Sequence, residues 1–100
     1  KILEKKYTKW FDCDKINCEL TVRTRRSGDY MAVSQSGGHK KLTRCMIDDK
    51  IPGELRGKLP LVVDGNEVLW IVGGRINERY KITSETGRVL EITYQGGNVQ

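Results

Sequence analysis

The chain has 100 residues and a net charge of +5, and 37% of its residues are hydrophobic. This length gives one domain with a modest core, and this hydrophobic fraction excludes a disordered chain. The longest apolar run, residues 68–72, is far shorter than the ~20 residues that cross a bilayer, so we expect no membrane partner.

The first half of the chain predicts two strands and a helix. Residues 18–25 alternate between apolar and polar side chains, which is typical of a half-buried strand. Residues 27–29 then supply a turn, and residues 30–33 are expected to return as the next strand. Beyond a glycine pair, Leu42, Cys45 and Met46 recur at helical spacing and predict a short helix at about 39–49. The side chains expected to face inward from the first strand are Cys18, Leu20, Val22 and Thr24.

The second half predicts a hairpin followed by two more strands. Residues 61–63 and 67–72 flank an Asp-Gly turn, and both faces of the second strand are apolar, so it should be covered on both sides. A short helical turn is expected at 54–58, and strands are expected at 79–83 and 89–94. The strand alternation places Trp70 and Val72 on one face and Leu69 and Ile71 on the other.

These elements predict an α+β domain. It should be strand-rich, with mostly antiparallel sheets in a sandwich-like arrangement and one main short helix at about 39–49. We expect residues 1–6 to be a linker or edge segment, residues 7–95 to be the domain and residues 96–100 to be a tail.

The positive charge is concentrated in one segment. Residues 23–44 hold six basic side chains and one acidic side chain, whereas the rest of the chain balances twelve against twelve. Such a patch indicates a surface that meets an anionic partner, although it is also compatible with a solvated basic face. The candidate nucleic-acid-binding residues are Arg23, Arg25, Arg26, Lys40, Lys41, Arg44 and Arg75.

Two arrangements of these cations are expected. Arg23 and Arg25 should project from one face of a strand, separated by roughly 6.5–7 Å, which is close to the spacing of successive phosphates. Lys40, Lys41 and Arg44 should form one patch at the start of the predicted helix, where free backbone N–H groups also attract anions.

Catalytic groups are scarce. His39 is the only histidine, and Cys45 falls on the apolar face of the predicted helix, so a Cys–His pair is disfavoured. The three cysteines lack paired spacing, which argues against a disulfide framework or zinc and is typical of core thiols in a reducing cytosol. No phosphate-binding glycine motif is present. We therefore expect no catalytic residue and no metal ligand, and a cytoplasmic location.

An ordered series of segments resembles one known family domain. In sequence they read FDCDK at 11–15, LTVRTRRSGD at 20–29, KKL at 40–42, IDDKIP at 47–52, LPLVV at 59–63 and WIVGGR at 70–75. This series is similar to the C-terminal, substrate-binding domain of bacterial tRNA(Ile)-lysidine synthases, and it spans nearly the whole chain. Ser27 stands where the family often has a proline.

The resemblance implies a chain that contacts tRNA without catalysis. In that family a separate N-terminal domain uses ATP to adenylate the wobble cytidine of a minor isoleucine tRNA, and lysine then displaces AMP to leave lysidine. The C-terminal domain helps recognise the tRNA body and acceptor stem. The implied partners are therefore this tRNA and the catalytic domain of the same polypeptide. No cofactor is implied for this chain, and ATP and lysine are substrates of the parent enzyme.

Two other functions stay open at this point. A docking module that orients other domains or builds a homodimer would also suit a small domain of this kind. A small hydrolase would need Cys45 as an activated nucleophile. For RNA binding, few aromatic residues look exposed, so a paired stem read by its shape is expected, with Trp70 in the core.

Overall fold

Two β-sheets and two short α-helices make up the part of the chain that the computed structural model describes, residues 7–34 and 38–95. The strands are β1 (Thr8–Asp12), β2 (Leu20–Arg23), β3 (Tyr30–Ala32), β4 (His39–Lys41), β5 (Leu61–Asp64), β6 (Glu67–Ile71) and β7 (Val89–Thr93). The helices are α1 (Leu42–Asp48) and α2 (Gly53–Arg56), with single 3-10 turns at Cys13–Lys15 and Glu78–Tyr80.

The larger sheet has the strand order β2-β5-β6-β3-β4, and β1 pairs with β7 in the smaller sheet. All pairs are antiparallel except β3 with β6. This architecture confirms the predicted strand-rich α+β fold with mostly antiparallel sheets. The predicted hairpin is β5–β6, the predicted last strand is β7, and the turn expected at 54–58 is α2.

The larger sheet has an apolar core on each face, as expected for a strand that is hydrophobic on both sides. The first core, which we call the helix-side core, contains Met31, Leu42, Cys45, Met46, Leu61, Val63, Val68 and Ile71. The second, which we call the small-sheet core, contains Phe11, Val62, Leu69, Trp70, Val72 and Tyr80. Strand β6 contributes to both cores, so it is the central element of the fold.

A β-bulge in β6 changes the facing that simple alternation predicts. Val62 pairs with Trp70 while Val63 pairs with Val68, which leaves Leu69 as the extra residue. An extra residue shifts the alternation by one position. Leu69 therefore joins Trp70 in the small-sheet core, and its predicted position on the opposite face is wrong.

The strand predicted at 18–25 is shorter than expected. β2 ends at Arg23 and pairs with β5 at an edge of the larger sheet. Cys18 is exposed and Val22 is 56% exposed, so both predictions of inward facing are wrong. The prediction of Arg25 on the same strand is wrong for the same reason.

Strand β3 does not pair with β2, although it was expected to return beside it. The loop 24–29 passes over the β5–β6 turn, and β3 lies on the other side of β6.

Two further boundaries differ from the predictions. The helix expected at about 39–49 begins only at Leu42, because residues 39–41 form β4 and pair with β3. Residues 78–80 form a 3-10 turn where a strand at 79–83 was expected, and Asn77 caps this turn through its side chain. The helical spacing of residues 42–46 makes the predicted helix start too early. Strand β4 has only three residues, which are too few to show the two-residue alternation of a strand.

Two predicted segments, 1–6 and 96–100, lie outside the described residues, as does Gly37 of the glycine pair. None of the helices in the described part of the chain is long and apolar enough to cross a bilayer.

Candidate nucleic-acid interface

Asp29 organises the loop that follows β2. Its carboxylate accepts two hydrogen bonds from the guanidinium of Arg23, at 2.9 and 2.8 Å, and one from the backbone N–H of Arg26 at 2.7 Å. The side-chain amide of Asn66, in the β5–β6 turn, donates another at 3.3 Å. The backbone N–H of Tyr30 also donates to the carbonyl of Asn66, at 3.1 Å. The loop is therefore held against the end of the β5–β6 hairpin.

The charge of Asp29 is compensated within the loop. Burial raises the pKa of Asp29, but the hydrogen bonds from Arg23, Arg26 and Asn66 outweigh it, so the pKa is lower than usual. The same contact raises the pKa of Arg23. The two side chains are only 11% and 1% exposed. The Arg23 guanidinium is thus engaged within the loop, and a phosphate would have to compete with Asp29 for it.

A cleft of about 430 Å³ lies between this loop and the start of α1, and residues 25–30 and 41–43 line it. Three of the lining residues are cations: Arg25, Arg26 and Lys41. Within residues 7–34 and 38–95, no hydrogen bond or ion pair engages the side chains of these three residues. Since Arg23 already neutralises Asp29, the wall of the cleft carries uncompensated positive charge.

Lys40 and Lys41 point to opposite faces of the larger sheet, because neighbouring residues of a strand alternate. Lys41 lies opposite Tyr30 in the β3–β4 pair and lines the cleft, whereas Lys40 lies opposite the buried Met31. The Nζ of Lys40 donates a hydrogen bond to Asp48 of α1 at 2.7 Å. The expected patch of Lys40, Lys41 and Arg44 is therefore not formed.

The last two candidate cations also lie near carboxylates. Arg44 is on α1 with its side chain 66% exposed, and its Nε is 3.9 Å from Asp48. Arg75 donates two hydrogen bonds to Asp49, at 2.8 and 2.6 Å, and these bonds raise the pKa of Arg75. Of the seven candidate residues, three thus line the cleft and four face a carboxylate partner.

Neither Tyr30 nor His39 is among the seven candidate residues, and the sequence leaves open whether Tyr30 is exposed. The centroids of their rings are 4.9 Å apart, with an angle of 41° between the ring planes. Tyr30 also lines the cleft. The signal was the possibility of pairing residues 30–32 with residues 39–41 across a short loop. The prediction of a helix over 39–41 concealed it.

A second polar cluster is buried beneath the 3-10 turn at Glu78–Tyr80. The hydroxyl of Tyr80 donates to Asp64 at 2.9 Å, and the guanidinium of Arg79 donates twice to Glu67, at 3.1 and 2.8 Å. Burial raises the pKa of both carboxyls, but hydrogen bonds outweigh it and lower the net pKa; burial also raises the pKa of Tyr80. These shifts keep both carboxyls charged and the hydroxyl of Tyr80 protonated at neutral pH.

Thiol and metal chemistry gain no support from the described residues. Cys45 is fully buried, and burial raises the pKa of its thiol, which disfavours the reactive thiolate. Cys18 is exposed and Cys13 is half-buried, so the prediction of core thiols is right only for Cys45. Throughout residues 7–34 and 38–95, no group of three His, Cys, Asp or Glu side chains could hold a metal ion.

Comparison with known families gives a match over residues 20–92, to the model described as the TilS substrate C-terminal domain. The described fold is also similar to a crystal structure of a TilS C-terminal domain, with a TM-score of 0.65 and 26% identity. That similarity covers 96% of this chain and 77% of the other. The match includes the loop after β2 and the start of α1, and therefore the whole lining of the cleft.

Two similar curated proteins are both named tRNA(Ile)-lysidine synthase. The one from Caldanaerobacter subterraneus subsp. tengcongensis is 44% identical over 88% of this chain, and the one from Clostridium tetani is 43% identical over 90%. The aligned part is 19% of the length of each relative. The chain thus spans about a fifth of the proteins it resembles.

Proposed function

The chain belongs to the TilS substrate C-terminal domain family, and on this premise we propose that it is a non-catalytic module that binds tRNA through the cleft between the β2–β3 loop and α1. The observation that carries the proposal is the set of three cations, Arg25, Arg26 and Lys41, that line this cleft without a carboxylate partner among the described residues. Phosphate groups are the partners that such a wall fits best, because Arg and Lys neutralise them and release counterions.

The construction of the loop supports the same function. Asp29 fixes the backbone of Arg26 and the side chain of Arg23, so the loop holds its shape without a ligand. A cation on a fixed loop loses less conformational entropy on binding than one on a mobile loop. A rigid, positively charged edge suits a paired RNA stem, which is recognised largely by shape and phosphates. We assign the tRNA body or acceptor stem as the part of the RNA that meets this surface.

For the parent protein we propose the activity of its relatives. A catalytic domain of the same polypeptide would convert the wobble cytidine of a minor isoleucine tRNA to lysidine with ATP and lysine, as an ATP-dependent ligase. This chain would contribute binding energy for the tRNA and would position the tRNA relative to the catalytic domain. We assign no cofactor to the chain itself, and we place its action in the cytoplasm, where tRNA is found.

The proposal is tested by titrating the chain with a minor isoleucine tRNA at several salt concentrations. Each phosphate contact contributes up to ~0.9 to the slope of log affinity against log salt, the duplex-DNA value. We expect a steep slope for the wild type. The double variant Arg25→Glu, Arg26→Glu should bind much more weakly, because two attractive charges become repulsive.

The double variant Lys50→Glu, Lys58→Glu is the matched control, because both lysines are exposed, neither lines the cleft, and the change in net charge is the same. It should retain most of the affinity. If the chain binds no tRNA, or if the control loses as much affinity as the cleft variant, the cleft is not the interface. Thermal unfolding of each variant shows whether a loss reflects binding or folding.

A docking function is the second candidate, favoured by an apolar groove on another part of the surface. The groove has a volume of about 310 Å³, and its lining includes Tyr7, Ile51 and Leu55. Its occupant under this proposal is the catalytic domain of the same polypeptide, since the curated relatives are about five times longer than the aligned region. Leu55→Ser should then weaken the association of the two parts without changing RNA affinity. Dimerisation of the chain alone through this groove would contradict that choice of occupant.

A further inference from the structure

We propose that the cleft also holds one unpaired nucleotide of the RNA, whose base stacks on the Tyr30–His39 ring pair while its phosphate meets the cleft cations. This inference rests on the proposed RNA-binding function and names the part of the RNA that this site takes. It begins from the register of β3 and β4. Tyr30 lies opposite Lys41, and Ala32 lies opposite His39. Paired residues share a face, so Tyr30, His39 and Lys41 all lie on the same face of this two-stranded unit.

The rings of Tyr30 and His39 remain accessible because the small-sheet core does not extend as far as β3 and β4. That core draws on β2, β5 and β6 of the larger sheet, and it contains no residue of β3 or β4. β4 is also an edge strand of the larger sheet in the described part of the chain. His39 is consequently exposed, and Tyr30 is only half-buried.

The ring pair has the chemistry that a nucleobase requires. The two rings contact one another at a centroid distance of 4.9 Å, and such aromatic surfaces bind bases of any sequence by stacking. Tyr30 shares the cleft with Arg25, Arg26 and Lys41. A nucleotide presents a flat base and an anionic phosphate, and this site offers a partner for each of them.

The ring pair favours an RNA that carries an unpaired nucleotide in addition to its paired stem. In a duplex each base is stacked between its neighbours, and both of its faces are hidden, so only an unpaired end, bulge or loop exposes a base to a protein ring. A purely acidic peptide would satisfy the cations, but it has no flat ring to place on Tyr30 and His39. Paired RNA would meet the cations alone, which distinguishes the two modes of binding.

The test compares the affinities of three RNAs by fluorescence anisotropy. The first is a blunt hairpin, the second is the same hairpin with a tail of four uridines, and the third is the tailed hairpin with abasic sugars in place of the four uridines. We expect the base-containing tail to tighten binding by roughly tenfold over the blunt hairpin, the scale of one stacked base. The abasic tail adds the same phosphates without bases, so it should give only a small part of this gain. Equal gains from the two tails would overturn the inference.

Variants locate the stacking site. Tyr30→Leu and, separately, His39→Ala should each remove the gain from the tail, measured within each variant as the ratio of its affinities for the tailed and the blunt hairpin. Tyr7→Leu is the matched control, because Tyr7 is 48% exposed and does not line this cleft; it should retain the gain. A tail effect that survives in both cleft variants would overturn the inference. An acidic peptide with the same charge as the tail should displace the tailed hairpin less well than the tail itself does. If the peptide competes equally well, the inference is also overturned.

These outcomes separate the inference from the function it rests on. Binding of the blunt hairpin with no gain from the tail removes the stacked nucleotide and leaves the RNA-binding function intact. Absence of binding to every RNA removes both. The abasic comparison uses only the wild-type protein, so it decides the matter even if Tyr30→Leu does not fold.

Discussion

Asp29→Asn should destabilise the domain strongly although it changes only one atom of the side chain. In the wild type, one carboxylate oxygen accepts hydrogen bonds from Arg23 and Asn66, and the other accepts from Arg23 and the backbone of Arg26. An asparagine must place an NH₂ group at one of these positions, where it would face donors. The nearly buried guanidinium of Arg23 would also lose its counter-charge.

The expected cost is about 3 kcal/mol, the low end of the range for breaking a buried ion pair by changing one partner. A domain of this size has a free energy of unfolding of about 5–15 kcal/mol. A loss of this magnitude lowers the unfolding midpoint by roughly 12–24 °C. Asp48→Asn is the matched control. It removes the exposed pair with Lys40, and such pairs contribute little, so its midpoint should stay close to that of the wild type.

The difference between wild type and Asp29→Asn should also depend on pH. The folded-state pKa of Asp29 is below its unfolded value, so its stabilisation is complete above the unfolded pKa and is lost as pH falls through the folded one. Asparagine does not titrate. The two stability curves should therefore run parallel at neutral pH and converge only below about pH 4, the ordinary range of aspartate.

Thermal unfolding followed by circular dichroism between pH 3 and 7 measures both effects. If Asp29→Asn unfolds at the same temperature as Asp48→Asn, then Asp29 does not hold the loop, and the preformed cleft has no structural basis. A difference that persists unchanged to pH 3 would contradict the assignment of a lowered pKa.

Three further results are expected. Lys41→Ala should weaken RNA binding and flatten the salt slope by up to ~0.9, whereas Lys40→Ala should change neither quantity in the same titration, because Lys40 pairs with Asp48 on the opposite face. Tyr80→Phe should lower the free energy of unfolding by about 1–2 kcal/mol in a urea titration, because buried acceptors lose a donor. The exposed Cys18 should be alkylated much faster than Cys45 at neutral pH, as read by mass spectrometry; similar rates would show that the helix-side core opens readily.

The elements that sequence predicted best are those with long, uniform patterns. The β5–β6 hairpin combines continuous apolar residues with an Asp-Gly turn, and Gly65 in that turn has a φ of 69°, as the turn requires. The apolar stripe of α1 likewise predicted its buried residues, Leu42, Cys45 and Met46. A segment whose apolar pattern or turn residues serve a single structural role can therefore be predicted from the sequence.

The cleft was harder to predict, because it depends on contacts between distant parts of the chain. The sequence identified the three cleft cations together with four other basic residues, and it does not distinguish between the two groups. What separates them is the position of a carboxylate: Asp29 for Arg23, Asp48 for Lys40 and Asp49 for Arg75. The last of these pairs spans 26 positions. Charge density alone cannot show which cations are neutralised when the chain folds.

The pairing of the other candidate cations would also affect how fast the protein meets the RNA partner that we propose. Beyond a Debye length of about 8 Å at physiological ionic strength, an ion pair acts as a weak dipole, while an uncompensated charge keeps its long-range field. Among the seven candidate cations, the long-range field that orients the protein during an encounter would thus come mainly from Arg25, Arg26 and Lys41. Association should be orientationally biased toward the cleft and slow steeply as salt is added, while the dissociation rate responds much less.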